Sequence, residues 1–110
     1  MPTLQLAIFV EAIHLMASPA AVQIRPGQVS ADEVALAWDD AWQVATQLWE
    51  EKLISPEIYA AVRCLNQALD AINPAATFWS DDALRSDKRW EAFRREARTI
   101  LAQLAAYQRL

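Results

Sequence analysis

The sequence predicts an all-α protein, a compact bundle of four main helices with one or two short extra helices. Glycine is nearly absent, with Gly27 alone in 110 residues, while Ala, Leu, Gln, Glu and Arg recur. These side chains lose little freedom in a helix. No Asn-Gly or Asp-Gly pair offers a hairpin turn. Helix-start signals recur along the chain, a Ser-x-x-Glu box at Ser30 and Ser-Pro pairs at Ser18 and Ser55. With 55% apolar residues the chain has material for one core, and its length suits one domain spanning 1–110.

The first helix is expected over 4–17, with Thr3 as a cap and Leu6, Phe9 or Val10, Ile13 and Met16 on its core face. Ser18-Pro19 then provides a cap with proline at the first helical position, starting a short turn that reaches Ile24 before Pro26-Gly27. The second main helix opens on Ser30 and Glu33, whose side chains satisfy each other's free backbone N–H groups, and continues to about Lys52. With Trp38 at zero on a wheel of about 100° per residue, Trp42 falls near about 40° and Trp49 near about 20°. Val34, Ala41 and Ala45 join them, so the three tryptophans are expected in the core.

The third main helix begins at Ser55-Pro56-Glu57, keeps Ile58, Val62, Leu65, Leu69 and Ile72 on one face, and ends at Asn73-Pro74. A loop carrying Phe78 and Trp79 leads to a short helix capped by Ser80-Asp81-Asp82. Ser86-Asp87 caps the last helix, expected over 88–107. Its core face is Trp90, Phe93, Ala97, Ile100 or Leu101, and Leu104, with Arg95 and Arg98 outside.

A single cysteine, Cys64, allows no internal disulfide and suits a reducing cytoplasm. The run LQLAIFVEAIHLMASPA has no Lys or Arg ahead of it, and Glu11 and His14 interrupt it, so it reads as a core helix and not a signal peptide or membrane span. A net charge of −4 and a pI near 4.8 argue against nucleic acid as a partner, because phosphate binding needs a basic surface.

No catalytic, cofactor or metal set emerges from the side chains. Glu11 and His14 have the i, i+3 spacing of di-iron bundle ligands, but that site needs a second such motif and the chain has one histidine. Cys64 and His14 would need an oxyanion hole that no glycine-rich turn supplies. The acidic pairs Asp39-Asp40, Glu50-Glu51 and Asp81-Asp82 raise a metal-dependent nucleotide hydrolase as a lesser alternative. The first two point away from the core stripe, and the third occupies a first helical turn, where acids serve the helix dipole.

What remains is a recognition surface. Six acids and no base lie between Asp32 and Glu51, while seven bases against three acids lie between Arg85 and Arg109. Leu36, Asp39, Asp40, Gln43, Gln47 and Glu50 share the outer side of the second main helix, a face suited to a protein partner with a basic surface. The rival expectation is that the basic last helix folds against this ridge and neutralises it.

Residues 55–101, SPEIYAAVRCLNQALDAIN and then FWSDDALRSDKRWEAFRREARTIL, resemble small acidic bacterial immunity proteins. Those proteins neutralise a cognate toxin domain in polymorphic or contact-dependent toxin systems. The resemblance rests on helix order and the Trp-Ser-Asp-Asp-Ala-Leu phrase, and transfers no functional residue. It implies a cytoplasmic toxin-binding protein that is not an enzyme; the alternative is a helical module that self-assembles or joins a larger complex.

Overall fold

The computed structural model describes residues 4–24, 30–72 and 80–108. Among them run α1 (Leu4–Ala17), α2 (Ala20–Gln23), α3 (Ser30–Glu50), α4 (Pro56–Ile72), α5 (Asp81–Ser86) and α6 (Lys88–Gln108), with no strand. The protein is an all-α bundle, with four long helices and two short ones among the described residues. Thr3, Pro26-Gly27, the Ser30 side chain with its capping box, Asn73-Pro74, Phe78 and Trp79 lie outside the described residues.

The helix starts are set locally. The Ser55 hydroxyl accepts from Ile58 N–H at 3.2 Å, and the Ser80 hydroxyl accepts from Ala83 N–H at 3.1 Å. Each removes one of the free donors of a first turn. One further start uses half of its expected pair, and one differs from expectation. α6 is capped by Asp87, which accepts from Arg89 N–H at 2.8 Å, whereas Ser86 donates back to the Asp82 carbonyl. The Arg89 side chain also grips both oxygens of Asp87, at 3.0 and 2.6 Å, and this contact above all holds the Asp87 carboxyl below its ordinary pKa. Pro19 is the N-cap of α2 and not its first helical residue, and Ser18 donates to the His14 carbonyl.

α3 ends at Glu50, two residues before the expected Lys52. Lys52 takes a left-handed φ of 63°, its N–H bonds to Trp49 O, and Leu53 N–H reaches Leu48 O at 2.9 Å. These two bonds form a Schellman stop with lysine where glycine is usual. Tyr107 of α6 donates to the Lys52 carbonyl at 2.7 Å and holds the turn.

The apolar stripes decide the packing. Phe9, Ile13, Met16, Leu48, Ile58, Leu65, Trp90 and Ile100 are fully buried in one core, each contributing about 1.5–3 kcal/mol of transfer free energy. α1 packs on α3 and α6, and α4 packs on the same two helices. The four long helices thus form a ring in which α3 and α6 stand at opposite corners. α2 and α5 touch each other and lie against the side formed by α1, α3 and α6.

One buried polar network joins these parts. Gln23, the buried residue of α2, donates to the Leu15 carbonyl at 2.9 Å and the Met16 carbonyl at 3.1 Å. Its oxygen accepts from Arg94 Nε at 2.9 Å, and Arg94 also donates to the Leu84 carbonyl of α5. Burial pulls the Arg94 pKa down from its ordinary value, Glu91 opposes this, and Arg98 adds to it. A side chain left without its partner in such a site costs about 1–3 kcal/mol.

Arg94→Met is therefore expected to destabilise the protein by about 2–4 kcal/mol in urea unfolding, since it strands Gln23 and a carbonyl together. The Gln23→Leu/Arg94→Met double variant should lose less than the sum of the single losses, by at least about 1 kcal/mol. Additive losses would mean the two side chains act separately.

Candidate functional site

The site is built on the outer side of α3. Leu36, Asp39, Asp40, Gln43, Gln47 and Glu50 are all exposed, Leu36 at 65%. On a wheel of about 100° per residue they occupy one arc of about 100°. The opposite side carries Ala31, Val34, Trp38, Ala41, Ala45 and Leu48, all buried. The core stripe thus orients the ridge: a helix that buries one face must present the other.

Within the ridge, Gln43 donates to Asp39 at 3.0 Å and Gln47 to Glu51 at 3.3 Å. The glutamines are i, i+4 neighbours of the acids and take up part of their acceptor capacity. Among the described residues, Asp39, Asp40 and Glu50 make no ion pair. Arg85 pairs with Asp82 and Arg89 with Asp87, both within α5, α6 or the turn between them. α6 packs on α1, α4 and α5, so the ring keeps its basic residues away from the ridge.

The three tryptophans part company. Trp38 is buried and donates to Asn66 Oδ1 of α4 at 3.1 Å, tying the two helices together. Trp42 is half-buried and packs against the core, while Trp49 is 41% exposed, which corrects the expectation of a core role for Trp49. The buried stripe is centred about 30° from Trp38 on the side of Ala41 and Leu48, leaving Trp42 and Trp49 on its flank. Tyr59 of α4 stacks on both rings, with centroids 6.0 Å from Trp42 and 4.8 Å from Trp49. Its hydroxyl meets Thr46 Oγ1 at 3.1 Å.

Beside the ridge lies an open groove of about 510 Å³ between α1, α2 and α3. Ala12, Leu15 and Ala37 form its floor, Ile8 and Val22 stand exposed on its rim, and Glu11 and Asp40 add two carboxylates. Asp40 belongs to both groove and ridge. The sequence pattern does not disclose the groove, because it is made where three helices meet.

The other sequence candidates are dispersed. Glu11 and His14 are exposed on α1, and Cys64 is exposed on α4, at the opposite corner of the ring. Among the described residues no three His, Cys, Asp or Glu side chains gather to hold a metal ion. No described helix is long and apolar enough to cross a membrane. No family model, curated protein or solved structure matches this chain.

Reversing two ridge charges should barely touch the fold. Asp40→Lys with Glu50→Lys is expected to leave the melting temperature within about 3 °C of the parent, because exposed charges contribute little to stability. A loss of about 10 °C would make the ridge an internal contact.

Proposed function

We propose that the protein is a protein-binding module whose acidic α3 face receives a basic surface of its partner. The observation that supports this is the continuous exposed arc from Leu36 to Glu50, with acids and glutamines around one large apolar side chain. An interface of this make-up has an apolar point to exclude water and a charged surround to steer association. Long-range attraction raises the association rate, and Leu36 and the glutamines supply short-range fit.

The resemblance of residues 55–101 to immunity proteins makes a bacterial toxin domain the leading partner. A toxin that acts on nucleic acid must present a basic surface to phosphate. An acidic helix laid across that surface blocks it without chemistry of its own. In this reading the protein is an inhibitor and not an enzyme, it works in the cytoplasm, and it needs no cofactor.

Affinity capture from the native host tests the reading with two baits, the parent chain and Asp39→Lys/Asp40→Lys/Glu50→Lys. The parent should retain a basic protein in equimolar amount that the variant loses, and its release should sharpen as salt rises. Equal capture by both baits would remove the α3 face from the interface. Turnover of nucleotides by the purified chain with Mg²⁺ would displace the binding reading altogether.

A further inference from the structure

We propose that the groove between α1, α2 and α3 seats the apolar face of a basic amphipathic helix of the partner. The proposal rests on the acidic-face reading above and names the shape and chemistry of what docks there.

α1 carries a surplus of apolar surface. Its sequence, LQLAIFVEAIHLMA, is apolar on nearly every side. The bundle buries Leu6, Phe9, Ile13 and Met16, and this satisfies one face. Leu4 at 73% and Ile8 at 36% exposure remain on the surface, and Val22 of α2 adds 53%. A helix that is apolar all round is normally covered all round. Exposed apolar side chains gathered beside a groove mark an interaction surface more often than chance scatter does.

Charge selects the same occupant. The described lining contains Glu11 and Asp40 and no base, and Asp40 continues into the ridge. An apolar floor with carboxylates beside it matches leucine-like side chains flanked by lysine or arginine. An amphipathic helix delivers that combination, with anchors at i, i+3, i+4 and i+7 in the groove and its cations at the edges. A second copy of this chain does not match. It would bring its own Glu11, Asp40 and a net charge of −4 against the same groove, and like charges facing each other oppose association.

The test uses the full chain and two fluorescein-labelled synthetic peptides. One has leucines at i, i+3, i+4 and i+7 and lysine elsewhere; the other has the same composition with leucines spread round the helix. By fluorescence anisotropy the amphipathic peptide should bind about tenfold tighter, equivalent to about 1.4 kcal/mol. Ile8→Gln/Val22→Gln should abolish that preference and leave the binding of the spread peptide unchanged. Both side chains are exposed, so thermal melting should show the variant folded.

Equal binding of the two peptides overturns the groove, and so does a preference that survives Ile8→Gln/Val22→Gln. A dimer in sedimentation that this variant converts to monomer overturns it too, since the occupant is then a second copy. Asp39→Lys/Glu50→Lys separates the two readings, because these ridge residues do not line the groove. If that variant weakens both peptides while no apolar preference exists, the acidic face stands and the groove falls. Failure of both peptides to bind overturns both readings.

Discussion

The acidic and basic helices stand at opposite corners of the bundle, and the character of the surface follows from that placement. α1 and α4 each pack on both α3 and α6. Their core faces demand it: Leu6, Phe9, Ile13 and Met16 on one side, and Ile58, Val62, Leu65 and Leu69 on the other, fill the space where α3 and α6 would otherwise meet. Hydrophobic burial is worth far more than pairing of exposed charges, about 1.5–3 kcal/mol for each buried side chain against about 0–1 kcal/mol for each surface pair. The core therefore sets the order of the helices, and the charges accept the positions that result. Asp39, Asp40 and Glu50 of α3 are left without an ion-pair partner among the described residues.

The placement of α2 depends on polar chemistry. A four-residue helix cannot hold itself together, since its first turn fixes several residues for almost no hydrogen bonds. Gln23 supplies the anchor by bonding the last carbonyls of α1 and handing its oxygen to Arg94. Arg94 in turn reaches the Leu84 carbonyl in α5. One guanidinium thereby links three helices, and satisfied donors offset the cost of removing its charge from water. The same anchor places Val22 on the rim of the groove, so the buried network and the candidate docking surface are connected through adjacent residues of α2.

The helical order was legible because local chemistry and apolar period agree. Ser55 and Ser80 cap as their sequence context predicts, and the stripes of α4 and α6 are buried where the 3.6-residue period places them. The exposed arc from Leu36 to Glu50 was legible for the same reason, as the face opposite a strong stripe. What escaped depends on partners distant in sequence. Arg94 and Gln23 are 71 residues apart, and neither side chain signals burial by its type. Trp49 lies on the apolar side of α3, yet near the helix end it stacks on Tyr59 and remains 41% exposed. A wheel gives direction but not the width of what lies opposite. The Lys52 stop was missed because the left-handed position carries lysine and not glycine.

Asp39, Asp40 and Glu50 make no ion pair among the described residues, and salt tests that most directly. Melting of the parent chain should be followed in NaCl from about 0.02 to 0.5 M, a range over which the screening length shrinks from roughly 20 Å to a few Å. The melting temperature should hold steady or rise, because screening relieves repulsion along a ridge that lacks cationic partners. A fall of more than about 4 °C, corresponding to a loss near 1 kcal/mol, would show that attractive pairs between α3 and the basic helix stabilise the fold and that the ridge is not free.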